Sequence, residues 1–116
     1  MIETAEIADL MKNAKALASQ FKDSKLYMDY QHHKNSLQNN PLLLERVMAY
    51  KENQFAIEAK RLQEGHIGFD EEKRVAHQYT ELSLDPVAGA FLACEYELLE
   101  VYKQVLDIIC EACEMD

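Results

Sequence analysis

From Val87 onward, apolar residues recur at alternating spacings of four and three: Val87, Phe91, Cys94, Leu98, Val101, Val105, Ile108, Ala112 and Met115. An α-helix turns about every 3.6 residues, so this set forms one continuous stripe. A second stripe runs beside it through Ala88, Leu92, Leu99, Tyr102, Leu106, Ile109 and Cys113, interrupted by Glu95. Glu97, Glu100, Gln104, Asp107, Glu111 and Glu114 occupy the remaining side. A helix with so wide an apolar face packs against more than one neighbour. In a chain this short one of those neighbours is expected to come from a second copy. Leu92, Leu99, Tyr102, Leu106 and Ile109 are the expected oligomer-interface residues.

The rest of the chain follows the same period. A first helix is expected from about Thr4 to Phe21, with Thr4 as N-cap and Ile7, Leu10, Met11, Ala14, Leu17, Ala18 and Phe21 on one face. Lys22-Asp23-Ser24 breaks that pattern, and Asp23 or Ser24 can cap a second helix running to about Asn39. Its inner face, Leu26, Tyr27, Tyr30, His33 or Ser36, and Leu37, is more polar than the first. Asn40-Pro41 is a cap followed by a proline that loses nothing at the first helical position. The third helix should then reach Glu64, with Leu44, Val47, Met48, Phe55, Ala59 and Leu62 as core residues and Gly65 as terminator. Ile67 and Phe69 are expected to tuck inward from a short loop. Asp70 is the expected cap of a short fourth helix that turns Val75, Ala76, Tyr79 and Leu82 inward. Asp85-Pro86 repeats the cap-then-proline signal, and the residue before a proline is pushed away from helical ψ, so a break falls at Leu84-Asp85. Ala88, Gly89, Ala90 and Ala93 permit a neighbouring backbone to come close to the start of the fifth helix.

The predicted architecture is therefore all-α: about five helices in one domain over residues 1–116, with the third and fifth as a long antiparallel hairpin and the shorter helices packed on it. Composition agrees, with three Gly, two Pro and no Trp in 116 residues. The formal net charge of −9 argues against direct binding to nucleic acid or to anionic lipid, both of which need clustered cations. The start, Met1-Ile2-Glu3-Thr4, is acidic and is followed by no apolar segment of the kind a signal peptide carries. No uninterrupted apolar run reaches membrane-spanning length. A cytoplasmic protein is expected, and an odd number of cysteines, three, argues against a disulfide framework.

Candidate chemistry is sparse. Cys110 and Cys113 form a C-x2-C pair, but it closes a long helix, whereas a redox pair normally opens one. Cys94 lies about 24 Å from Cys110 along a straight helix, too far to share a metal. Cys110 and Cys113 are thus low-priority metal candidates that need ligands from another helix or subunit, and Cys94 is expected in the core. His32 and His33 are adjacent and point in different directions on a helix, and His66 and His77 show no dense ligand spacing. Glu95 is a buried acid, a partner of Arg or Lys in an interface ion pair, or an edge residue of the apolar face. Neither a Gly-rich phosphate loop nor G-x-S-x-G occurs. No catalytic residue, no cofactor and no enzymatic activity are expected.

Three segments carry a family resemblance: Phe21-Lys22-Asp23-Ser24-Lys25-Leu26-Tyr27; Val47-Met48-Ala49-Tyr50-Lys51-Glu52-Asn53-Gln54-Phe55, continuing to Leu62-Gln63-Glu64-Gly65; and Leu84-Asp85-Pro86-Val87-Ala88-Gly89-Ala90-Phe91, continuing through Glu95-Tyr96-Glu97-Leu98-Leu99. Across nearly its whole length the chain resembles the YlbF/YmcA group of small helical bacterial proteins, whose members include YheA. The resemblance implies an all-helical, self-associating, non-enzymatic regulator that acts through protein–protein interaction as a scaffold. It also implies roles in competence, sporulation, biofilm formation or mRNA processing, with other family members or a ribonuclease-containing complex as partners and a homo-oligomer, a dimer first, as the working form. Iron–sulfur binding through cysteines is attributed to that complex. The chain departs from YlbF in lacking its Cys-rich tail, so Cys110 and Cys113 match no family ligand residue by residue. The alternative function is a metal- or iron–sulfur-binding sensor that uses them between subunits.

Overall fold

A computed structural model describes residues 4–114, which form five α-helices and no strand. They are α1 (Ala5–Lys22), α2 (Lys25–Gln38), α3 (Pro41–Glu64), α4 (Phe69–Leu84) and α5 (Pro86–Ala112). Met115, the expected end of the first α5 stripe, and the acidic start Met1-Ile2-Glu3 lie outside the described residues.

Local sequence accounts for most helix ends. Thr4 Oγ1 accepts from the Ile7 amide at 3.2 Å, and Asn40 Oδ1 accepts from the Leu43 amide at 3.3 Å. Asp85, with ψ 128°, accepts from the amides of Val87 (2.8 Å) and Ala88 (3.0 Å), so one carboxylate oxygen satisfies two of the free donors at the start of α5. Gly65 closes α3 at φ 82°, a left-handed conformation that costs a side-chain-bearing residue more. Between α1 and α2, Ser24 serves both ends: its Oγ donates to the Phe21 carbonyl at 2.6 Å and accepts from the Tyr27 amide at 3.2 Å.

The expectation for α4 is corrected at its start. Gly68 is the N-cap, without a side-chain hydrogen bond, and Phe69 is the first helical residue. Asp70 instead sits in the first turn with Glu71 and Glu72, where three carboxylates complement the positive end of the helix dipole. Phe69 does not tuck inward but remains 76% exposed.

The core gathers at one place. Leu37 from the end of α2, Leu43, Val47 and Tyr50 from the first half of α3, Leu82 from the end of α4, and Ala88, Phe91 and Leu92 from the start of α5 form a single buried cluster. Two arms leave this hub. In one, the second half of α3 pairs with α4 through Lys60–Glu71 (2.6 Å) and Asn53–Gln78 (3.2 Å). In the other, α2 lies along α5, with Tyr30 against Phe91 at 5.6 Å between ring centroids. Phe21, at the end of α1, meets Tyr102 at 6.3 Å. Falling residue numbers on α5 meet rising numbers on α1 and α2, so α2 runs antiparallel to α5.

The long partner of α5 is thus α2, and α3 touches α5 far less than a hairpin of the third and fifth helices would require. The reason lies on α3 itself. Leu43, Val47 and Tyr50 bury one face in the hub, whereas Met48, Phe55 and Leu62, placed on the core side by periodicity, point away from it and are more than half exposed. After Lys51 the helix diverges from α5 and continues against α4.

Candidate functional site

The divergence of α3 from the α2–α5 pair opens a cleft of about 510 Å³, lined by Tyr30, Lys51, Gln54, Phe55, Glu58, Glu95, Leu98 and Leu99. Its walls are set by the packing just described: Tyr30 is held by Phe91, and Lys51 is one turn beyond Val47 on α3. Lys51 Nζ donates to Glu95 Oε2 at 2.6 Å across the cleft, and the same ammonium stands 5.7 Å from the Phe91 ring centroid. The Glu95 side chain is 19% exposed and that of Lys51 38%. Glu95 therefore interrupts the second α5 stripe as an intramolecular ion-pair partner, cross-linking two helices that diverge at that point. Around this pair the surface is apolar, with Phe55 77% and Leu99 59% exposed.

The expected interface residues separate into two groups. Leu92 is buried in the hub and belongs to the subunit's own core. Leu99, Tyr102, Leu106 and Ile109 are exposed along the free half of α5. Sequence periodicity did not reveal the cleft, because Lys51 and Phe55 read as a polar residue and a core residue of one helix. Their relation to Glu95 depends on the angle at which α3 leaves the hub.

A second concavity of about 390 Å³ lies where α3, α4 and α5 meet, with Tyr50, Tyr79 and Tyr96 among its walls. Tyr50 and Tyr79 rings pack at 5.8 Å. Burial, with Tyr79 and the Glu95 carboxylate nearby, pushes the Tyr50 phenol above its usual range. Tyr50 is buried whereas Tyr79 and Tyr96 are exposed, so this tyrosine group spans from core to water.

Cys94 is half-buried, and burial together with the negative charges of Glu97 and Asp29 raises its thiol pKa, which makes it a poor thiolate. Cys110 is half-buried in the last turns of α5, and Cys113 is exposed at its C-cap. Among the described residues, no three His, Cys, Asp or Glu side chains converge in a way that could hold a metal ion. His32 and His33 meet edge to face at 5.3 Å, and His77 pairs with Glu81 one turn on at 3.0 Å. No helix of the described residues is long and apolar enough to cross a membrane.

What the arrangement offers is therefore surface: an apolar cleft braced by an ion pair, continuous with the free stripe of α5. Residues 10–114 match the family described as control of competence regulator ComK, YlbF/YmcA. The chain belongs to this family. It is also 26% identical over 99 residues, 85% of this chain and 82% of the relative, to a UPF0342 protein of Caldicellulosiruptor saccharolyticus. No solved structure matches significantly. The match to the YlbF/YmcA family covers most of α1 and the whole of the other four helices, including the cleft and the free half of α5. Its description is regulatory, which accords with a molecule whose distinctive features are uncovered packing faces.

Proposed function

We propose that the protein is a non-enzymatic cytoplasmic regulator that works as a scaffold, through contacts with copies of itself and with other proteins. The observation that carries this reading is the amount of uncovered surface. The chain exposes 9267 Å². A compact monomer of 13.4 kDa exposes about 6500 Å². Its radius of gyration of 18.2 Å likewise exceeds the roughly 13 Å of a compact chain of this length. Large hydrophobic residues are exposed on it, Leu10, Met11, Phe55, Leu99, Leu106 and Ile109 among them, and exposed apolar faces mark interaction sites. In the cleft, the charged groups Lys51 and Glu95 are committed to each other, which leaves binding rather than proton transfer as its use.

The partners expected from the resemblance are other YlbF/YmcA proteins or a ribonuclease-containing complex, in competence, sporulation, biofilm or mRNA-processing control, and the family's description as a control of a competence regulator supports the regulatory part of this reading. Two measurements test the reading. Sedimentation at micromolar concentration is expected to give a homodimer or larger species, and a monomer would contradict self-association. In the source organism, deletion of the gene should change expression of such regulated genes. Wild type should restore it, whereas a folded Phe55→Glu variant should not. Full complementation by that variant would remove the cleft from the function.

A further inference from the structure

We propose that α1 of one subunit packs on the free half of α5 of a second copy, and reciprocally, so that the dimer closes through an intermolecular four-helix arrangement. This inference rests on the self-association proposed above and names its geometry.

The two arms are complementary and neither is covered within the chain. No residue of α1 is buried, although its apolar positions lie on one face: Leu10 is 57% and Met11 51% exposed. Among the described residues, the α1 backbone approaches no helix other than α2. On α5, Leu99, Tyr102, Leu106 and Ile109 continue the stripe that α2 covers nearer the hub, and each is about half exposed. Both stripes have the spacing of a bundle seam.

The junction between α1 and α2 keeps α1 off its own α5. Asp23 and Ser24 are the whole connection, and each is held in place. The Asp23 amide donates to the Ser19 carbonyl at 3.0 Å, and Ser24 is bonded to both Phe21 and Tyr27. Phe21 rests on Tyr102, yet the rest of α1 does not run along α5, so the two stripes stand apart like the arms of a fork. A second fork of the same kind supplies a helix for each of these two empty faces, and a two-fold axis closes the pair.

Net charge favours the α1–α5 pairing, although the charged side chains flank the apolar faces and do not lie on them. α1 carries Lys12, Lys15 and Lys22 against Glu6 and Asp9. The free half of α5 carries Glu97, Glu100, Asp107 and Glu111 against Lys103. Pairing α5 with α5 would bring two acidic helices together, whereas α1 on α5 joins helices of opposite net charge. Area agrees in scale. The surface beyond that of a compact monomer is about 2800 Å² per chain, of which the α1 and α5 faces are part, and a stable dimer needs about 800 Å² per partner.

The test uses the full chain at a concentration where it is dimeric. In an equimolar mixture of isotope-labelled and unlabelled protein, isotope-filtered NMR should show intermolecular contacts from the Leu10 and Met11 methyls to Leu106, Ile109 and the Tyr102 ring. Contacts confined to α1–α1 or α5–α5, or α1–α5 contacts only within one chain, would overturn the arrangement while leaving a dimer in place. A chain that stays monomeric would overturn this inference together with the self-association beneath it. Met11→Glu and Leu106→Glu should each weaken dimerisation at least about hundredfold, because each would bury an unpaired charge. Their helix content should remain that of wild type, since neither residue is in the hub. Retention of wild-type dimer affinity by both would also refute the proposal.

Discussion

Lys51 of α3 and Glu95 of α5 meet at 2.6 Å at the point where their two helices part. The pair sits over Phe91, at the edge of the hub, and closes the inner end of the cleft. It is partly desolvated, so it ranks above an ordinary surface pair and below a buried one. Its geometry makes it a strut, which fixes the angle between the arms that carry the exposed faces.

A double-mutant cycle with Lys51→Met and Glu95→Gln should therefore give a coupling energy of about 1 kcal/mol in denaturant unfolding. Lys51→Met alone should be the more harmful single change, because it leaves the more buried partner, Glu95, without its cation. Coupling indistinguishable from zero would show that the strut contributes nothing to the hub.

Gly89→Ala should destabilise the protein by about 1–3 kcal/mol even though alanine is the better helix former. A Cβ at Gly89 would lie 2.7 Å from the Ser83 carbonyl oxygen, a backbone atom at the end of α4 that cannot swing aside. Equilibrium unfolding of the variant measures this. A gain in stability would mean that the α4–α5 corner relaxes freely.

Asp85→Ala should cost about 1 kcal/mol, by loss of the cap to the Val87 and Ala88 amides. Asp85→Asn should keep most of that stability, because its side-chain oxygen can still accept. A thermal melt unchanged in the alanine variant would show that water serves those amides equally well.

Stability should fall as pH rises into the alkaline range. The Tyr50 phenol is raised above its ordinary 10.0 and the Cys94 thiol above its ordinary 9.0, so the folded state holds both protons longer than the unfolded chain. Their contribution is fully present below the unfolded values and is lost as pH climbs through the folded ones. Tyr50→Phe combined with Cys94→Ala should flatten that decline, as read from denaturation midpoints between neutral and strongly alkaline pH. An equally steep decline in the double variant would assign it to other groups.

Replacing Cys110 and Cys113 together by Ser should barely alter the melting temperature or the oligomer size, because Cys113 is exposed at the end of α5 and Cys110 is only half-buried near it. Stoichiometric metal in anaerobically purified wild type, lost together with the oligomer in the double variant, would instead establish the intersubunit sensor.

The sequence by itself determined the helices and most of their ends. Caps, prolines and Gly65 act over a few residues, so Thr4, Asn40 and Asp85 could be read directly, and family motifs along the chain agreed with them. The Gly68 cap is not legible in the sequence, because a glycine cap forms no side-chain bond and Asp70, two residues on, carries the stronger capping signature. Tertiary structure decided which part of each apolar stripe is used. Periodicity gives Leu92 and Leu106 the same standing on one face of α5, yet Leu92 is in the hub and Leu106 is exposed. The difference depends on where α2 stops covering α5 and on α1 not continuing along it. The same holds for Met48 and Phe55, whose stripe faces open space because α3 turns from α5 after Lys51. Helix formation is local, whereas burial depends on the directions in which several helices leave one small core, and no single stripe encodes those directions.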